Sequence, residues 1–263
     1  MPATDHAVDL DDDLNLIRVA AEEGGKIAMG YFGRDPEVWM KAGVSPVSEA
    51  DYAVDKFLKE TLRKARPDYG WLSEETVDTP DRLSAQRTFV VDPIDGTRAF
   101  LDRQDLWCVS IAVVESGRPI CGVLDCPARG EVFSARVGKG AFLNGKPIKV
   151  RQPMRDIELV GTKALLDKLG GDLARARRHR YVPSLAYRIA MIAAGRIDGT
   201  FVKPNSHDWD LAAADLILSE AGGTVADAQG RVLSYATTDN PRHGMLAAAG
   251  KPMIDRLVRA LPQ

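Results

Sequence analysis

The segment Phe89-Val-Val-Asp-Pro-Ile-Asp-Gly-Thr97 runs as a hydrophobic, β-branched strand and then breaks into an acid, a proline, a second acid, a glycine and a hydroxyl residue. Such a run is buried along its length and presents polar chemistry at its end. Pro93 stiffens the backbone and Gly96 permits a tight approach, so Asp92 and Asp95 can be held near each other without helical structure. The same residue types also make ordinary turns, so the segment alone does not assign a chemistry.

The surrounding sequence supplies the layers such a strand needs. Apolar positions Leu14, Ile17, Ala21, Ile27 and Tyr31 follow a helical spacing after an acidic run suited to a helix N-terminus. A loop around Gly43 and Pro46 leads to Ser48. Beyond it Ala50, Val54, Phe57, Thr61 and Ala65 predict a second helix that Pro67 ends. Thr88–Asp92, Leu106–Val114, Ile120–Leu124 and Glu131–Ala135 read as strands, and Gly138–Gly145 as a hairpin. After Pro153 the texture alternates: strand-like 158–161, helix-like 185–194, strand-like 199–202, a helix from about Trp209 to Ala221 ended by two glycines, strand-like 245–248 and a last helix, 253–261. Residues 1–150 are therefore expected to form an α+β subdomain with an antiparallel sheet, and 151–263 an α/β subdomain. With 263 residues, no internal repeat and no low-complexity linker, the two are expected to share an interface.

A net charge of -2 provides no overall positive field for nucleic acid or anionic membranes. Asp5, Asp9, Asp11, Asp12 and Asp13 stand where a secretory signal needs a basic start and an apolar stretch, which predicts a cytoplasmic protein. Leu106–Val114 is far too short to span a bilayer as a helix. Cys108, Cys121 and Cys126 show no paired metal or redox spacing and are expected to be reduced core thiols.

Two further acidic features accompany the strand end. Glu74 and Glu75 follow a probable strand, and Asp210 opens the helix after His207. Taken singly, they read as a solvated pair and as an acid offsetting a helix dipole. Several other motifs drop out. Two residues separate Asp92 from Asp95, unlike the D-x-D of phosphatases that form an aspartyl-phosphate. Pro147 stands where a P-loop needs Ser or Thr, and no G-x-S-x-G is present. His6, His179, His207 and His243 are scattered without ligand spacing, and His207 reads as a loop residue rather than a base.

Together, Asp92 to Thr97 and Trp209-Asp210 with Glu220-Ala-Gly-Gly223 resemble the two signatures of the inositol monophosphatase family of magnesium-dependent, lithium-sensitive phosphatases. Ser45–Asp51, Glu74-Glu75 and the 138–145 hairpin extend the similarity over most of the chain. The resemblance implies a layered αβαβα sandwich and a homodimer. It implies Mg2+, two or three ions per site with Mn2+ as a substitute. Glu74, Asp92 and the Ile94 carbonyl would bind the first ion, and Asp92, Asp95 and Asp210 the second. Magnesium prefers such hard oxygen donors, and carboxylates about 4 Å apart would repel by on the order of 4 kcal/mol at an effective dielectric near 20 without it. Thr97 and Asp51 would orient and deprotonate the attacking water with Glu74 close by, and Asp95, Gly96, Thr97, Ser184, Lys203 and Asp210 would meet the substrate, a small phosphorylated metabolite. Asp51 carries two readings, since Ser48-Glu-Ala-Asp51 also spells a helix capping box that would occupy it with backbone.

Substrate identity stays open in the sequence. Lys203 lies seven residues before Asp210, where inositol phosphatases carry an acid, and it would favour a second anionic group. Pro183-Ser-Leu-Ala-Tyr187 is similar to a segment of the 3'(2'),5'-bisphosphate nucleotidases, while Ser45–Asp51 and Asp95–Phe100 are similar to the histidinol-phosphate branch. The basic run Arg175–Arg180 reads as a solvated surface or as an attractor of anions. Some family members serve as regulators, so an interaction protein with secondary catalysis is the alternative from another class. The intact acids favour an enzyme, and the unbiased charge disfavours dedicated RNA binding.

Overall fold

The structure, a computed structural model, describes residues 5–41, 45–152, 156–237 and 242–261. Residues 1–4, Gly43 and Pro153 lie outside the described residues, as do the side chains of residues 5–9.

The first half opens with α1 (Asp5–Tyr31), a hairpin of β1 (Val38–Lys41) and β2 (Ser45–Ser48), and α2 (Glu49–Ala65). The acidic run lies inside α1 rather than before it. Pro46 lies in β2, paired with Met40, so the expected loop is a short antiparallel ladder. Then come β3 (Gly70–Ser73), β4 (Arg87–Asp95), α3 (Thr97–Leu101), β5 (Cys108–Glu115), β6 (Arg118–Cys126), β7 (Glu131–Arg136), β8 (Ala141–Leu143) and β9 (Lys146–Ile148). They form one seven-stranded sheet in sequence order. Only β3 and β4 pair parallel; the rest is antiparallel, as the turn-separated strands predicted.

The second half comprises β10 (Glu158–Val160), α4 (Lys163–Leu166), β11 (Arg177–Arg178), α5 (Leu185–Ala193), β12 (Gly199–Val202), β13 (Ser206–His207), α6 (Asp208–Glu220), β14 (Gly223–Asp227), β15 (Arg242–His243), β16 (Leu246–Gly250) and α7 (Lys251–Arg259). Five of its strands make a mixed sheet in the order β11-β10-β12-β16-β14.

Three apolar cores stack these elements into five layers. One face of the large sheet, with Phe89, Val91 and Ile111, buries Ile17 and Ala21 of α1 and Val54 and Leu58 of α2. Its other face, with Val90 and Ala112, packs on α5 and α6, which in turn cover Val160, Val225 and Ala248 of the second sheet. The far face of that sheet, with Phe201, Ala247 and Ala249, closes on Met253 and Leu257 of α7. Ala247 and Ala249 face one way and Ala248 the other, the period-2 alternation of a sheet buried on both sides. The result is the αβαβα sandwich, and the core shared by α5, α6 and both sheets joins the two halves. Cys108, Cys121 and Cys126 are free thiols within the cores. Among the described residues no helix is long and apolar enough to cross a membrane.

Candidate active site

Asp92 and Asp95 are three residues apart, so an uninterrupted strand would send their side chains to opposite faces of the sheet. The register of β4 against β5 shifts between them: Asp92 opposes Ser110, and Asp95 opposes Cys108. Three steps on β4 thus match two on β5, and the extra residue is a β-bulge that turns Asp95 back to the side of Asp92. The core contacts show the flip. Val90 belongs to the core beneath α5 and α6, while Ile94, also an even-numbered position, has crossed to the core beneath α1 and α2. Pro93 sits within the bulge, where a missing N–H costs no ladder bond. Gly96 then takes φ +97°, and a Cβ there would stand 3.0 Å from the Leu106 carbonyl oxygen and 3.1 Å from Ser184 Cβ.

Asp210 arrives from α6, whose first turn it caps by accepting from His207 N at 2.6 Å. One carboxylate oxygen from each of Asp92, Asp95 and Asp210 lies within 4.8 Å of the others. All three carboxyls are pushed above the usual carboxylate range, each first by burial; the charges of Glu74, Asp95 and Asp210 further raise Asp92, and those of Asp95 and Glu74 further raise Asp210. Asp95 rises only to about 6, because Ser184 Oγ and the Ala186 and Leu185 N–H groups donate to it. The N-terminus of α5 therefore holds Asp95 in place, while Asp92 Oδ1 accepts from Ile94 N at 3.0 Å. Two buried acids and a half-buried third, gathered this closely, form a donor set that fits a hard divalent cation.

Glu74 continues the β3–β4 ladder, its N–H donating to the Val91 carbonyl at 3.2 Å. Its side chain is not in the three-acid cluster: Oε1 accepts from Lys41 Nζ at 3.1 Å, and the same ammonium pairs with Glu75. It is near enough for its charge to raise Asp92. Nothing in the sequence marked Lys41, because its position depends on how the β1–β2 hairpin folds over β3.

Both readings of Asp51 hold at once, because a carboxylate has two oxygens. Oδ2 accepts from Ser48 N at 2.8 Å and Ser48 Oγ at 2.6 Å, which is the cap, while Oδ1 lies 3.2 Å from Thr97 Oγ1. The Thr97 hydroxyl is equally far from the Ile94 carbonyl oxygen, so its single proton serves one acceptor at a time. Burial lifts Asp51 to about 6 against the pull of the Ser48 bonds.

Ser184 is fully buried: its hydroxyl donates to Asp95 and accepts from Tyr187 N at 3.0 Å, capping α5. Lys203 is exposed just past β12, with no ion pair among the described residues. Arg175, Arg177, Arg178 and Arg180 are exposed as well. His207 lies in a short strand rather than a loop, and its ring stacks on Trp209 with centroids 4.3 Å apart.

Residues 9–263 match the model of the inositol monophosphatase family. The chain is similar to an inositol-1-monophosphatase of Rhizobium meliloti, 34% identical over 233 residues that cover 82% of this chain and 86% of that protein. It is similar to a histidinol-phosphatase of Chlorobaculum parvum, 32% identical over 234 residues, 83% of this chain and 87% of that one. Among solved structures, the extragenic suppressor protein suhB from Bartonella henselae superposes with a TM-score of 0.83 at 30% identity, covering 96% of this chain and 99% of that one.

Proposed function

The chain belongs to the inositol monophosphatase family of phosphatases, and we propose that it hydrolyses a small-molecule phosphate monoester with Mg2+ held by Asp92, Asp95, Asp210, Glu74 and the Ile94 carbonyl. The observation that carries this reading is the convergence of two buried carboxylates from β4 and a half-buried one from α6 within 4.8 Å. Bound magnesium supplies two things there: a lowered pKa for water and neutralisation of phosphoryl charge.

The remaining steps belong to the protein. Thr97 Oγ1, donating to Asp51 Oδ1, has a lone pair free to accept from the attacking water, so the proton lost from water passes to the hydroxyl while the hydroxyl's own moves to Asp51. Asp51 can accept it because a carboxyl with a pKa of about 6 is mostly ionised at neutral pH. Glu74, whose charge reaches Asp92, lies close by. The backbone around Gly96 lets substrate oxygens approach closely, and Ser184 contributes by orienting Asp95. Lys203, exposed just past β12, would meet an anionic substrate arm. The same reading includes lithium sensitivity through competition for a magnesium position, Mn2+ as a substitute ion, a homodimer and a cytoplasmic location. Residues 1–150 would contribute the bulge and the general base, and 151–263 would supply Asp210 and the substrate contacts.

Phosphate release from inositol 1-phosphate, histidinol phosphate, fructose 1,6-bisphosphate and 3'-phosphoadenosine 5'-phosphate, each with Mg2+ and with EDTA, tests the proposal. Turnover of at least one ester that needs Mg2+ is expected. Equal release with EDTA, or none on any ester, would refute it. Repeating the panel with Lys203→Glu shows whether a second anionic group is recognised: the variant should lose rate on the bisphosphates and not on inositol 1-phosphate.

A further inference from the structure

Two residues before Asp210 stands a second acid of α6 that the proposed chemistry does not use. Asp208 is fully buried. Its Oδ1 accepts from His243 Nε2 at 2.7 Å, and its Oδ2 from Ala236 N at 2.6 Å. His243 lies 35 residues further along the chain and is itself pinned: it pairs with Ser206 in the β13–β15 ladder, its carbonyl accepts from Asn205 N at 2.8 Å, and its ring packs edge-on against Tyr235. Both flanks of the first turn of α6 are thereby tied to one downstream segment. A buried polar pair is a poor source of stability compared with apolar residues of similar volume. What a saturated pair does supply is a fixed register and direction. That matters here because the same turn carries the Asp210 carboxylate, which lies within 4.8 Å of those of Asp92 and Asp95.

We infer that His243 is a positioning residue for the metal site: by donating to Asp208 it fixes the first turn of α6 and with it the carboxylate of Asp210. The inference rests on the metal-site reading above. It assigns His243 no contact with substrate or ion.

The test is calorimetric titration of the full-length chain with Mn2+, alongside thermal melting followed by circular dichroism. His243→Ala is expected to weaken Mn2+ binding by about 10- to 100-fold, the usual cost of losing a partner behind a ligand. His243→Gln, which can present an N–H at a similar reach, is expected to stay within about threefold of the parent. Tyr235→Phe is the control for general loosening. It removes the 2.8 Å bond from Tyr235 Oη to Asp215, on the following turns of the same helix; it should lower the melting temperature and leave Mn2+ affinity unchanged. Unaltered affinity in a folded His243→Ala protein would overturn the inference, as would an equal loss in Tyr235→Phe. Should His243→Ala not fold, His243→Asn, polar but too short to reach Asp208, replaces it in the comparison with His243→Gln. A parent protein that binds no Mn2+ would overturn the metal site itself, a failure distinct from parent binding that His243 does not influence.

Discussion

At the scale of single residues the site is built against its own stability. Asp92, Asp95 and Asp210 each hold a proton more tightly in the folded chain than in the unfolded one, where a carboxyl titrates near 4. Between that value and the raised folded value the folded state binds more protons, so metal-free stability falls as pH rises through about 4 to 6 and beyond. Melting in EDTA across pH 4 to 8 should show this decline, and saturating Mg2+ should flatten it; a metal-free protein that gains stability over the same range contradicts the assignment. By the same argument Asp92→Asn, which keeps the acceptor for Ile94 N but deletes a charge, should raise the metal-free melting temperature at pH 7.5 by about 2–4 °C, equivalent to about 1 kcal/mol. It should also reduce turnover at least about 100-fold. Asp51 sets a different dependence. As the proton acceptor behind Thr97 it works only when ionised, so kcat should drop as pH falls through about 6. Thr97→Val should lower kcat by about 100-fold or more at every pH; a variant with the parent rate would remove the pair from the mechanism.

At the scale of elements, the bulge in β4 and the approach of α6 decide whether the acids meet. Gly122 of β6 shows how close that approach is. A Cβ there would lie 3.0 Å from the Ala213 carbonyl oxygen and 3.1 Å from Ala213 Cα, so the helix backbone lies almost directly on the strand. Gly122→Val should push α6 away, costing about 1–3 kcal/mol. Because α6 carries Asp210, the variant should also bind Mg2+ more weakly than its lowered melting temperature alone would produce; unchanged affinity would show that the helix position is not critical. Helix α2 and the strands β4 to β7 could be read from periodicity and turn residues, since each has a face that is uniformly apolar. The β1–β2 hairpin could not. Val38, Trp39 and Met40 are exposed, so no buried face imprinted an alternation on them.

At the scale of the whole molecule, the three clustered acids come from both halves, with Asp92 and Asp95 on the large sheet and Asp210 on the helix layer between the sheets. A bound ion therefore cross-links the sandwich. Magnesium at 100 times its dissociation constant should stabilise the fold by about 2.7 kcal/mol, a rise of about 5–10 °C in melting temperature; no shift between EDTA and Mg2+ would mean that the ion does not bridge the halves. The sequence by itself determined the residue types of the site, their order along the chain and the family they signal, because the chemistry of a metal-dependent phosphatase demands acids at strand and helix ends and those are local features. Helical and strand periods gave the order of helices and strands, while the layered architecture was an expectation from the family resemblance that the motifs carry. Tertiary structure alone decided that a bulge brings Asp95 to the face of Asp92, that Asp51 serves its cap and Thr97 with separate oxygens, and that Ser184 donates to Asp95, Lys41 pairs with Glu74 and His243 with Asp208. Those depend on contacts between residues 13 to 89 positions apart, and no spacing along one chain records which distant side chains the packing of sheets and helices will bring together.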